Sequence, residues 1–167
     1  MSTIVRLLGS VMVLSGCTAM GCIQAGKLRR RHQLAVLLGR YWGDYLRRME
    51  LTAQPPAMIA AALAEYSMYR EVAFAQALAK ATEGDFGVTL MKAMRELELP
   101  EPLQKTMLPL AESLGLTPME TERQVLLGVL AALRQEEKYW AEQENHQGVL
   151  FRRLGVLGGL ALVILLI

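Results

Sequence analysis

Acidic residues are missing from both ends of this 167-residue sequence, and histidine and cysteine are nearly missing throughout. No Asp or Glu occurs before Asp44 or after Glu144. Only Arg6 among the basic residues precedes Lys27, and none follows Arg153. His32 and His146 have no partners at ligand spacing, so no metal site is expected, and both read as solvated helix-surface residues. Cys17 and Cys22, five apart in one apolar stretch, are poorly placed to bridge, which excludes a disulfide framework. No glycine-rich loop carries the Lys and Ser/Thr of a phosphate cradle, which excludes that route to nucleotide hydrolysis. Glu136, Glu137, Glu142 and Glu144 read as a solvated face, because no apolar pocket is evident around them to shift their acidity. With no nucleophile–base pair either, neither an enzyme nor a cofactor is expected. Sustained apolar/polar alternation is absent too, which argues against strands.

What is present is apolar sequence at the ends and charge in the middle. Leu7–Ala25 is a 19-residue apolar run between Arg6 and Lys27, long enough as a helix to cover roughly 28 Å, about one hydrocarbon core. Leu154–Ile167 is shorter, 14 residues. It lengthens through Val149, Leu150 and Phe151 if Arg152 and Arg153 snorkel. The expected organisation is an N-terminal transmembrane segment over 1–26, a helical domain over 27–153 and a C-terminal transmembrane segment over 154–167. Lys27, Arg29, Arg30 and Arg31 abut the first segment, and Arg152 and Arg153 the second. These collars suit anionic membrane lipids at about 1 kcal/mol per residue near the surface. They place the middle domain in the cytoplasm, as an out-in-out hairpin. Residues 50–144 carry 15 acidic groups against eight basic ones, so nucleic-acid binding is not expected.

The middle domain reads as an all-α antiparallel bundle of about five to six helices, continuous with both terminal segments. Leu34, Leu38, Tyr41 and Tyr45, widened by Leu37 and Trp42, form one face of a first helix that Pro55-Pro56 stops. Helices are expected near 57–66 and 69–82, then near 86–97 behind Gly84 as a stop and Asp85 as N-cap. Phe86, Leu90, Met91 and Met94 turn inward on that fourth helix. Pro100 and Pro102 precede a fifth near 103–114, closed by Gly115. Thr117-Pro118-Met119-Glu120 reads as a capping box. It opens a last helix with a stripe of Leu126, Leu130, Leu133 and Trp140, uninterrupted to the chain end. The first and last helices are expected to be neighbours near the membrane.

Leu14-Ser15-Gly16-Cys17 also resembles a bacterial lipoprotein cleavage box, which would lipidate Cys17 and make the domain extracytoplasmic. Against that, the apolar run continues past Cys17 to Ile23 and is followed at once by basic residues that resist translocation. Gly9, Gly16, Gly21 and Gly26 are an alternative signal, of a helix-packing face.

Several stretches resemble the stage III sporulation protein AB family of endospore-forming bacteria. They are Ser113-Leu114-Gly115 with Glu122, Arg123 and Gln124; Leu133-Arg134-Gln135-Glu136-Glu137 with Gln143-Glu144-Asn145; and the tail Leu154-Gly155-Val156-Leu157-Gly158-Gly159-Leu160, ending Val163-Ile164-Leu165-Leu166-Ile167. Gln54-Pro55-Pro56 departs from the family's usual threonine–proline–leucine. His146, Gln147 and Gly148 interrupt a stretch usually rich in lysine and glutamate, and Gly148 weakens or bends the last helix. The resemblance implies a platform in the mother-cell membrane, part of the secretion-like channel joining mother cell to forespore. Its helical domain would be similar to the cytoplasmic domains of type II secretion and type IV pilus platform proteins. It would bind a secretion-type ATPase and other channel components, and a homo-oligomer is compatible with that role.

The two fates of the first segment differ in one measurement. Palmitate labelling of producing cells should leave the wild type and Cys17→Ala equally unlabelled; label that disappears in the variant would establish lipidation and overturn the cytoplasmic placement.

Overall fold

The computed structural model describes residues 2–52, 54–148, 150, 153, 154 and 157, and every regular element among them is helical. The order is α1 (Ser2–Thr52), α2 (Pro56–Ala64), α3 (Ala73–Ala79), a 3-10 turn (Glu83–Asp85), α4 (Phe86–Glu96), α5 (Glu101–Ser113), α6 (Met119–Gln143) and a π-helical turn (Glu144–Gly148). The expected all-α fold class is present as a helical bundle. The chain divides into two units, one of residues 34–137 and one of residues 1–33 with 138–167.

The 34–137 unit is organised by the aromatic face of α1. Leu38, Tyr41, Trp42, Tyr45 and Met49 fall at i, i+3, i+4, i+7 and i+11, and all are buried. Tyr41 meets the edges of Trp42, Tyr69 and Phe74 with ring centroids 5.2, 5.3 and 5.4 Å away. Trp42 also contacts Tyr45 at 5.2 Å and Phe74 at 6.3 Å. Each such pair adds about 0.5–1.5 kcal/mol beyond the area it buries. Around this cluster α2 packs on α3, α3 on α4 and α4 on α5.

Local signals place most of the boundaries. Pro56 starts α2 at the first helical position, where its missing N–H costs nothing. Pro102 does the same near the start of α5. Helix α4 ends one residue before the expected Leu97. Glu98, at φ 51°, closes it with its own N–H on the Arg95 carbonyl (3.0 Å) and the Leu99 N–H on the Met94 carbonyl (3.4 Å), a Schellman arrangement without glycine.

Three expectations are corrected. The third helix begins at Ala73, not Tyr69, because residues 65–71 form turns. A tertiary bond holds them there: the Tyr69 hydroxyl donates to Asp44 Oδ2 at 2.7 Å while its ring packs on Tyr41. The Gln76 amide then donates to the Ala64 carbonyl at 3.1 Å, capping α2. Gly84 does not end a helix; α3 stops at Ala79 and Gly84 lies inside the 3-10 turn. Asp85 occupies the N-cap position but makes no side-chain cap, its carboxylate instead accepting from Thr82 Oγ1 at 3.4 Å. The last helix is also interrupted, since the α-helical pattern gives way at Glu144 to the π-helical turn ending on Gly148.

In the unit of 1–33 with 138–167, Gly21 and Ala25 are buried, one turn apart on α1. Gly16 and Gly26 are exposed, and a Cβ on either would meet nothing. Gly9, the first of the series, lies outside the residues whose side chains are described. Among the described residues no helix is long and apolar enough to cross a membrane. The side chains of Leu7–Leu14 and nearly all of Leu154–Ile167, where the sequence places the terminal spans, lie outside the described residues.

At Gly87 the backbones of α4 and α5 come so near that an added Cβ would collide with the Ala111 carbonyl oxygen. Gly87→Ala should therefore lower stability by about 2–3 kcal/mol. Gly39→Ala, in α1 where a Cβ meets nothing, should raise it by up to about 1 kcal/mol. Urea midpoints of the full chain in detergent, followed by near-UV circular dichroism, check both.

Candidate functional site

In the 34–137 unit a cleft of about 330 Å³ lies between the end of α1, the Pro55-Pro56 connection and the α5–α6 loop. Its floor is built by the residues around Gly115. Leu114 (φ −65°, ψ 123°) and Gly115 (φ 79°) are the central residues of a type II turn, closed by the Leu116 N–H on the Ser113 carbonyl at 3.1 Å. The positive φ calls for glycine at 115.

Glu122, one turn into α6, reaches back to this loop. Its carboxylate accepts the Gly115 N–H at 2.7 Å and also a bond from the Thr117 backbone, and the residue is buried. The capping box expected at Thr117–Glu120 is not formed. The Thr117 hydroxyl donates to the Ser113 carbonyl at 3.1 Å, and Glu120 faces Arg123 at 3.5 Å. Glu122 thus ties down the loop, while the first helical bond of α6 runs from its N–H to the Pro118 carbonyl.

Burial raises the Glu122 carboxyl above its ordinary range, and the two backbone bonds offset this only in part. Across the cleft, burial, the Glu122 charge and Tyr41 push the Tyr45 phenol well above its usual range. The Tyr45 hydroxyl is buried and has no hydrogen-bond partner among the described residues. Arg123, the next residue to Glu122, turns to Glu50 (2.9 Å) and Glu120. Among the described residues no cation pairs with Glu122. No cluster of three His, Cys, Asp or Glu side chains in metal-binding arrangement occurs among them either.

A second groove of about 410 Å³ lies beside Asp44, Arg47, Arg48, Leu51, Thr52 and Tyr66. There Arg48 donates to the Tyr66 hydroxyl at 2.9 Å and lies over its ring, 5.9 Å from the centroid.

The collar residues predicted from sequence fall in the unit that joins 1–33 to 138–167. Lys27, Arg29, Arg30, Arg31 and Arg153 are exposed; Arg152 lies outside the described residues. Arg31 stacks over Trp140, 5.1 Å from the ring centroid, a cation–π contact between the basic cluster and the last helix. His32 is corrected: it is a partner, not a solvated residue. Its Nδ1 lies 2.7 Å from Glu144 Oε2, and both side chains are under a third exposed. His146 is exposed.

Sequence reasoning named Tyr45 and Glu122 but did not unite them in a cleft. The legible signal was Glu122 itself, an acid four residues before Leu126 on the stripe that buries Leu126, Leu130, Leu133 and Trp140.

The raised Glu122 carboxyl has a definite sign in the stability of the chain. The folded state holds that proton more tightly than the unfolded chain, whose carboxyl titrates near 4.5. The wild type therefore loses stability relative to Glu122→Gln as pH rises from below 4.5 through the raised value, then loses no more. Urea midpoints of both proteins between about pH 4 and 8 check this; a difference independent of pH would refute the assignment.

Compared with known proteins, residues 6–167 match the family model of stage III sporulation protein AB. No curated protein and no solved structure matches the chain significantly. The match takes in the Ser113–Glu122 loop and both basic collars, and with nearly the whole chain covered, this protein belongs to the stage III sporulation protein AB family.

Proposed function

We propose that the chain is a non-enzymatic membrane platform of the channel that joins mother cell and forespore, anchored by its two apolar ends and binding a secretion-type ATPase. The observation that carries this reading is the grouping of residues 1–33 with 138–167 in one unit. That unit gathers the Lys27–Arg31 cluster and Arg153, and is tied by the Arg31–Trp140 contact and the His32–Glu144 pair. Two basic clusters beside two apolar segments favour a single bilayer face, each cation contributing about 1 kcal/mol toward anionic headgroups. The 34–137 unit, carrying the cleft and an acidic surface, supplies the body for partner proteins. Membership in the sporulation family supports the setting, and the ATPase and platform assignments extend it by analogy with secretion platforms.

Reporter fusions after Gly26 and within Glu83–Asp85 should both give a cytoplasmic signal in producing cells. Full-length protein in detergent should co-purify with the sister ATPase. Periplasmic activity at either fusion would overturn the topology, and an ATPase that passes over the immobilised full chain would overturn the partner assignment.

A further inference from the structure

The geometry points to the Glu122–Tyr45 cleft as a socket for a cationic side chain, an arginine or lysine presented by a protein partner. Three features converge on that ligand. The first is charge: Glu122 is 6% exposed, and no described cation of this chain neutralises it. Its backbone partners use two of about four acceptor positions on a carboxylate, which leaves capacity for a charge-assisted bond. The second is Tyr45, which lines the same cleft and whose buried hydroxyl has no partner among the described residues. A guanidinium, which only donates, suits both groups as acceptors. The third is the wall: Met49, Pro55, Pro56 and Met119 supply apolar surface for the aliphatic stem that arginine and lysine carry.

Other occupants fit less well. A metal ion finds one carboxylate and one phenol, short of the ligand set that would hold it. An anion meets the Glu122 charge, and a purely apolar group would leave the Tyr45 hydroxyl and the carboxylate without partners. The inference is independent of which protein brings the cation, so it stands or falls apart from the ATPase assignment.

The test uses the full chain in detergent at neutral pH, labelled with 13C at the methionine methyl groups, so that Met49 and Met119 report from the cleft walls. The probes are butylguanidinium, butyrate, free arginine and the blocked peptide acetyl-Gly-Arg-Gly-amide. Butylguanidinium should shift both methyls saturably with a dissociation constant on the order of 1 mM, as suits so small a cation, and butyrate should not. The blocked peptide should bind more tightly than free arginine, whose own carboxylate the Glu122 charge repels. The reverse order would assign the socket to a free cationic metabolite and overturn the protein-partner assignment.

Glu122→Gln keeps one side-chain oxygen as an acceptor for the loop backbone, removes the charge and turns the other oxygen into an amide donor. It should weaken butylguanidinium about tenfold or more while leaving the thermal transition cooperative. Tyr45→Phe should weaken it by a few-fold, on the order of one hydrogen bond. No saturable shift in the wild type, or equal binding by wild type and Glu122→Gln, would show that Glu122 serves only to tie down its loop.

Discussion

The unit of residues 34–137 rests on one constraint: the face of α1 from Leu38 to Met49 is aromatic and must be covered. Tyr41, Trp42 and Tyr45 are each at most 1% exposed. Burying three large rings within little more than one turn demands a surface of matching shape, since interiors pack like crystals and tolerate few voids. Tyr69 and Phe74 supply it, and for Tyr69 to reach Tyr41 and Asp44 the chain must turn between α2 and α3. The segment 65–71 is therefore turned for a tertiary reason, with no proline or glycine in it. The positions of α4 and α5 follow in sequence, each packed on the helix before it, down to the contact for which residue 87 has no side chain.

The same cover leaves polar groups without partners. The Tyr41 and Tyr45 hydroxyls and the Trp42 indole N–H are buried and unpaired among the described residues. An unpaired buried polar group costs about 1–3 kcal/mol, so these rings are held by apolar and edge-to-face contact in spite of their polar tips. At Tyr45 the cost coincides with a second one, the desolvated carboxylate of Glu122. Two unfavourable terms meeting in one cleft is the pattern expected where stability has been exchanged for recognition.

Glu122 links local structure to that cleft. Its carboxylate ties back the Gly115 and Thr117 backbone of the α5–α6 loop, and that loop lines the cleft together with Pro55-Pro56. The residues that build it, Ser113-Leu114-Gly115 and Glu122, are among those by which the chain resembles its family. Their role here has a physical basis: a type II turn needs its glycine, and the turn's free N–H needs an acceptor.

Much of the bundle was legible in the sequence because its signals are local. The apolar period of α1, the prolines before α2 and α5, the positive-φ glycine at 115 and the stripe of α6 each act within a turn or two of themselves. They determined that the domain is all helical, roughly where most of its helices lie, and which stripes are buried. The uneven charge likewise determined where basic clusters stand. Tertiary structure decided what depends on residues far apart. The turns at 65–71 are set by Tyr69 meeting Asp44 and Tyr41, and His32 finds Glu144 across 112 positions. Thr117 donates its hydroxyl to Ser113, and Glu122 rather than Glu120 reaches back to the loop. The Glu122–Tyr45 cleft belongs to this second group. An acid on an apolar stripe announces itself in the sequence, but its neighbour in space is a tyrosine 77 residues earlier, and only packing brings the two together.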